Sequence, residues 1–443
     1  MGTQGAISDG VSAQVTTAGN ISLGRRLAGA AAALWRGLRP PPALRRALRP
    51  LFQFAGRWVA DHQDSVSRRA LTALSAGPLV LSGFVAEVIG VGSAARMTAA
   101  GLADQGLTPI LHDIAFIRDT SIYERRPFPA APGGVWIAHC NPPELNQLLA
   151  LYPRGDLEAR YRIGHWAWEL QRLPRAWVQA ARSLHEIWAP SRFVADAIAV
   201  SLSEGAAAAP IVRVMPYPLP NLSAVAPDRG RFGRPPAAFV VLVMLDLRST
   251  RARKNPDAAI DAYLAAFTAD DPGCRLVCKV IGADAEPGQL AQITARLSGR
   301  ADVQLLTEPL TDDDTHRLIA SADVVLSLHR SEGYGLTLAE AMTMGRVAMA
   351  TGWSGNIDFM DETCAVLVPY TLAPVRDPQH LYGGVDAVWA EADVAAAAAA
   401  LRDLRADPVR RARLGLAARE RLARHRRVFF EEMARMPWLD KLA

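Results

Sequence analysis

The chain has 443 residues, 50% hydrophobic and 21% charged. That suits two or three domains with large buried cores and excludes a wholly disordered, collagen-like or disulfide-rich protein. The net charge of +5 sits at the start, where residues 1–70 carry ten arginines against three aspartates, so the body lacks the basic balance of a nucleic-acid protein.

Residues 1–75 read as a basic extension. Helical fragments around Leu34, Trp35, Leu38, Leu44, Leu48, Leu51 and Phe52 are broken by Pro40, Pro41, Pro42 and Pro50. Arginines around an apolar stripe fit a helix lying on an anionic bilayer, and they fit equally an extension packed on the body. No run approaches the roughly 18–20 apolar residues of a membrane span. The expected location is the cytoplasm, with the basic head in peripheral contact with the inner face of the membrane.

From Leu79 the texture alternates between strand and helix. Leu79–Ser82, Thr108–His112, Val135–Ala138 and Tyr161–Ile163 read as strands. A glycine-bearing loop (Gly83, Gly90, Gly92) leads into a helix near Ser93–Gln105. Trp188–Pro190 reads as a strand end, and Ser191 as the cap of a helix through about Ser201. A proline-rich stretch, Pro216–Pro236, separates a second series with candidate strands Phe239–Leu245, Arg275–Ile281, Val303–Leu306, Val324–Leu328 and Val347–Ala350. An arginine-rich helical tail runs from about Val394 to Phe430. The predicted class is α/β: two Rossmann-like, doubly wound domains facing a central cleft, at 76–225 and 235–390, with a helical tail at 391–443. Four cysteines, Cys140, Cys274, Cys278 and Cys364, read as reduced structural thiols.

The segment Ser331-Glu-Gly-Tyr-Gly335 follows the strand Val324–Leu328 and precedes a helix expected to begin near Leu336 and stop before Gly345. Unpaired N–H groups of a glycine loop and helix N-terminus bind anions, and the carboxyl end of a parallel strand is where ligands sit. Glu332 lies beside that position and Glu340 one turn into the helix. Carboxylates there disfavour phosphate but accept hydrogen bonds from hydroxyls; a capping acid and a solvated helix acid are the bland alternative. Asp312-Asp-Asp314 resembles a metal-binding pair, but Thr311 before it and the helix after it favour capping, and no metal and no cofactor is expected.

Glu332 and Glu340 stand eight apart, which resembles the Glu-x7-Glu element of retaining family-4-type glycosyltransferases of the GT-B fold, bacterial polysaccharide type. The similarity extends to Asp323-Val-Val-Leu-Ser-Leu-His-Arg330, Ser354-Gly-Asn-Ile-Asp-Phe-Met360, Tyr161-Arg-Ile-Gly-His-Trp-Ala-Trp-Glu-Leu170, Glu186-Ile-Trp-Ala-Pro-Ser-Arg-Phe-Val194 and Arg253-Lys-Asn-Pro256, in order over about residues 78–425. The resemblance implies that Arg253 and Lys254 hold the donor diphosphate, where fixed cations stabilise the leaving charge without a metal. Lys254 is one of only three lysines. It implies further that Glu332 with Gly333, Tyr334 and Gly335 contacts the donor sugar, that Glu340 binds the ribose, and that Gly90 and Gly92 lie near the diphosphate. His165 is a candidate beside the donor sugar; His139 and Glu169 are candidates on the acceptor side. Read alone, a Gly-x-Gly is a common turn and a lone histidine is more often structural.

The function these residues imply is metal-independent transfer of a hexose, with retention, from a nucleotide sugar to a glycan or lipid-linked acceptor. GDP-mannose is the first expected donor and a UDP-hexose the second. The rivals are a catalytically silent binding subunit and a GT-B enzyme of another reaction, such as a sugar-nucleotide epimerase. A phosphorylase would need a lysine for pyridoxal phosphate, and none lies between Lys279 and Lys441.

Overall fold

A computed structural model describes residues 75–442, short segments at 118–127, 129–131, 153–156, 205–208, 233–234 and 383–385 and a few single positions aside. The basic extension therefore lies outside the described residues. Among the described residues no helix is long and apolar enough to cross a membrane.

Six parallel strands form the first sheet: β1 Leu79–Gly83, β2 Ile110–Asp113, β3 Val135–His139, β4 Tyr161–His165, β5 Glu186–Ala189 and β6 Ile211–Val214, in the order β2-β1-β3-β4-β5-β6. β1 and β3 are buried along their whole length, as expected of strands covered by helices on both faces. The covering helices are α1 Gly90–Ala103, α2 Pro142–Leu151, α3 Arg175–Ala181 and α4 Arg192–Ser203. Ser191 caps α4, accepting from the Val194 N–H at 3.3 Å.

The second sheet is again six parallel strands: β7 Phe239–Asp246, β8 Cys274–Ile281, β9 Val303–Leu306, β10 Val324–Ser327, β11 Val347–Thr351 and β12 Val366–Val368, ordered β12-β11-β10-β7-β8-β9. Its helices are α5 Arg251–Lys254, α6 Pro256–Ala266, α7 Pro287–Arg296, α8 Asp312–Ala320 and α9 Leu336–Thr343. Thr311 caps α8, as its sequence suggested, accepting from the Asp314 N–H at 3.1 Å. The architecture is the two-domain α/β arrangement expected.

Three features lie beyond the sequence-based strands. β6 completes the first sheet and β12 the second. After β12 an antiparallel hairpin, β13 Tyr370–Pro374 and β14 Val388–Ala392, projects toward the first domain. The tail also divides in two, α10 Val394–Ala406 and α11 Pro408–Met433, because Asp407 leaves helical geometry and its carboxylate accepts from the Arg410 N–H at 2.8 Å. α11 returns to the first domain: Phe429, Met433, Met436 and Trp438 are buried with Leu79, Leu81 and Ile137. The Gly77 N–H bonds to the Lys441 carbonyl at 3.0 Å.

Candidate active site

The carboxyl ends of the two sheets face each other, and the residues singled out in the sequence line both sides. Gly335 has a φ of 96° and forms the N-terminal boundary of α9, a left-handed turn that glycine makes without steric cost. It swings the chain from β10 into the helix and leaves Glu332–Gly335 at the helix mouth. Glu340, on α9, is buried and lies with His316 Nε2 3.7 Å from its carboxylate. That contact raises the His316 pKa above its ordinary value despite partial burial.

Glu332 is the centre of the charge cluster. Lys254 Nζ bonds directly to its Oε1, and Arg253 Nη1 lies 3.1 Å from Oε2. Burial alone would raise the Glu332 pKa, but Lys254 and Arg253 outweigh it and bring the carboxyl to about 2. The backbone around it is pinned from behind. The Glu332 N–H donates to Ser354 Oγ at 2.8 Å, and Gly355 N–H donates to the Glu332 carbonyl at 2.9 Å. Ser354 itself holds a φ of 75°, a conformation costly for a residue with a side chain and maintained only where the surroundings impose it. A Cβ on Gly355 would come within 2.2 Å of the Gly333 carbonyl oxygen, so only glycine allows this approach.

Arg253 is buried, with its guanidinium donating to the Ser331 carbonyl at 2.9 Å and Ser249 Oγ at 3.1 Å. Lys254 is more open, with 30% of its side chain exposed. Both lie on α5, a single turn closed by Asn255 at a φ of 48°. A four-residue helix has too few internal bonds to be stable alone, so its geometry depends on what packs around it.

The first domain approaches the same cluster. Glu169 Oε1 lies 3.7 Å from Arg253 Nη2, and the Ser331 hydroxyl donates to the Glu169 carbonyl. Ser191 Oγ donates to the Gly333 carbonyl at 2.7 Å, and the Arg192 N–H at the start of α4 donates to Asp358 at 2.6 Å. At the other end of the interface Arg96 pairs with Asp312 at 3.0 Å while donating to the Glu87 carbonyl at 2.8 Å. Asp312 thus joins the domains as well as opening α8. Gly90 and Gly92 begin α1. A Cβ on Gly92 would meet the Glu87 and Phe84 carbonyls at 2.4 and 2.6 Å, whereas Gly90 has open space.

His139 and His165 end β3 and β4 with ring centroids 4.4 Å apart, and Tyr217 packs on both. The Thr98 hydroxyl donates to the Ala94 carbonyl at 3.0 Å and so meets His139 Nε2, at 3.2 Å, as acceptor. Burial lowers the His139 pKa from 6.5 to about 4 and puts that of His165 well below its ordinary value. His329 and His425 are likewise lowered to about 4 by burial. All four bind a proton readily when unfolded and reluctantly when folded. The stability this lends is complete above pH 6.5 and is lost as the pH falls from 6.5 toward 4. Thermal denaturation should show a melting temperature that drops through this window, with a shallower drop in His139→Gln; an unchanged melting temperature from pH 7 to 4.5 would refute the assignment.

Sequence reasoning singled out Arg253, Lys254, Glu332, Glu340 and Glu169 but passed over the groups that hold them. Ser249 carries no motif, and Ser331, though it opens the Ser331–Gly335 segment, was given no role there. Tyr382, on the hairpin loop, donates to Glu169 Oε2 at 3.1 Å, a contact across more than two hundred positions that no local pattern signals.

With this arrangement established, residues 239–407 match the model of the family described as Glycosyl transferases group 1. That match spans the second sheet, the hairpin and α10. No curated protein matches the sequence. Among solved structures, Anabaena HepE in complex with UDP and glucose is 14% identical with a TM-score of 0.54, over 81% of this chain and 98% of its own. A glycosyltransferase from Rickettsia africae is 14% identical with a TM-score of 0.54, over 79% and 94%. These share the two-domain GT-B fold with this chain. S. aureus TarM, solved with fondaparinux, alpha-GlcNAc-glycerol and UDP, is 12% identical with a TM-score of 0.48, over 68% of this chain. The chain spans 54% of that protein's length.

Proposed function

We propose that this protein transfers a hexose from a nucleotide sugar to a glycan or lipid-linked acceptor in surface-polysaccharide synthesis, with retention of configuration and without a metal. The observation that carries the reading is the cluster of buried Arg253 and Glu332 with the half-buried Lys254 at the mouth of the α9 helix, with Glu340 inside its first two turns. Two fixed cations beside a helix N-terminus suit a diphosphate whose charge grows as it leaves. Glu332 and Glu340 supply acceptors for sugar and ribose hydroxyls. No side chain is assigned as a covalent nucleophile. The acceptor hydroxyl attacks from the face the diphosphate leaves, and a phosphate oxygen of the leaving group takes its proton. His139 and His165, kept neutral by burial, add no charge to the N-terminal side.

For the donor, the sequence motifs favour GDP-mannose, with a UDP-hexose second; the capture of UDP and glucose by HepE makes UDP-glucose the natural first member of that second group. Calorimetry with GDP-mannose, UDP-glucose, UDP-galactose and UDP-GlcNAc, in EDTA, tests both points. One donor should bind, with affinity reduced more than tenfold in Glu340→Ala and in Lys254→Ala. Binding that needs a divalent cation would overturn the metal-independent reading. Absence of binding to every nucleotide sugar would favour a silent binding subunit.

A further inference from the structure

The hairpin after β12 is folded over the turn that carries the two cations. Gln379 Oε1 accepts from the Arg251 N–H at 3.2 Å. Trp389 is buried beneath the Arg330 guanidinium, 5.5 Å from its ring centroid, and that guanidinium bonds to the Ala252 carbonyl. Arg330 N–H donates to the Arg253 carbonyl at 2.8 Å, and Ala390 N–H to the Arg330 carbonyl at 2.9 Å. The hairpin also reaches the first domain, with Gln171 donating to the Val388 carbonyl at 2.9 Å and Trp168 packing edge-on to Tyr382 at 5.4 Å. The short α5 turn is thus held from outside by a structure that touches both domains.

Arg253 lies between carboxylates from the two domains, and they are not equivalent. Glu332 is within hydrogen-bond distance, at 3.1 Å, while Glu169 stays at 3.7 Å, too far for a hydrogen bond. A carboxylate facing a guanidinium ordinarily closes into a two-pronged pair. Here the other Glu169 oxygen accepts from the buried Tyr382 hydroxyl at 3.1 Å, and the Glu169 backbone carbonyl is fixed by Ser331. The Arg253 Nη2 that faces Glu169 is given to Ser249 instead.

We propose that Tyr382 is a positioning residue for Arg253: its hydroxyl holds Glu169 back, so that the Nη2 edge facing Glu169 is not closed by a second carboxylate and can take a diphosphate oxygen. This rests on the reading of Arg253 as a diphosphate-binding cation. Released from Tyr382, Glu169 closes on Arg253, neutralises it and competes with the ligand.

The test is titration of the full chain, as wild type, Tyr382→Phe, Glu169→Gln and the double variant, with GDP, GMP, UDP and UMP. Tyr382→Phe should weaken the diphosphate of the preferred base by about tenfold and leave its monophosphate unchanged. The double variant should recover the loss, because a glutamine amide carries no charge to neutralise Arg253. Equal weakening of monophosphate and diphosphate, no change in either, or no recovery in the double variant would overturn the proposal. Should Tyr382→Phe alone fail to fold, the double variant compared with Glu169→Gln decides: equal preference for diphosphate over monophosphate in the two supports the role, because the hydroxyl then has no carboxylate to hold back, and a lower preference in the double variant refutes it. If the wild type binds neither GDP nor UDP, the donor-site reading itself falls. Wild-type binding with indifferent variants removes only the role of Tyr382.

Discussion

Arg253→Ala is expected to lower kcat/KM for the preferred donor by about a hundredfold to a thousandfold, the usual consequence of deleting one preorganised group aimed at developing charge. The size follows from burial. Arg253 is screened from water, so no solvent cation or water replaces it, and alanine leaves Glu332 and Glu169 facing the donor site with less compensation. Removing one partner of such a buried pair also costs about 3–5 kcal/mol of stability. Lys254→Ala separates the two effects, because its side chain is 30% exposed and the loss of fold should be smaller for a comparable loss of activity. Arg253→Lys should not rescue: an ammonium cannot reach the Ser331 carbonyl, Ser249 and Glu332 in the planar geometry those contacts define. Steady-state kinetics on folded variants checks this. Arg253→Ala with activity within threefold of wild type would show that the diphosphate lies elsewhere.

Much of this site was legible because its parts are local. The strand–loop–helix order around Glu332 and the glycine that starts α9 are encoded within a dozen residues, and the apolar runs of β1, β3, β7 and β10 mark both sheets. The hairpin was not legible. Its strands are five residues each, they bury only Trp389 and Ala390 fully, and their pairing spans residues 375–387, far longer than a tight hairpin turn. α11 illustrates a different limit. Leu414, Ala418, Leu422, Phe429 and Met433 form the apolar stripe of a helix, but a stripe states only that something covers it. That its last turns pack on the first domain and its earlier ones on the second depends on the three-dimensional placement of both sheets. The same is true of Glu169, whose identity suggested an acceptor-side role and whose position in the fold sets it against a cation from the other domain.

Glu332→Ala should destabilise the free protein by about 3–5 kcal/mol and, at the same time, enlarge the stabilisation that a nucleoside diphosphate confers. In the ligand-free protein Glu332 is the anion that Arg253 and Lys254 share, which is why its carboxyl sits near 2 against the cost of burial. Its removal leaves two cations whose repulsion a bound diphosphate relieves, so the ligand-induced rise in melting temperature should exceed that of the wild type. Acid mimics the substitution. A carboxylate with a depressed pKa stabilises fully above about pH 4.5, and that contribution disappears as the pH falls toward 2. Transfer activity should nevertheless fall in Glu332→Ala, because the carboxylate proposed to meet the sugar hydroxyls is gone. Tighter product binding with slower transfer is the combination that separates a counter-ion exchanged for substrate from a residue that only holds the loop. Equal thermal shifts in wild type and variant would mean that Glu332 stays paired with Arg253 and Lys254 throughout the reaction, and that the diphosphate binds without displacing it.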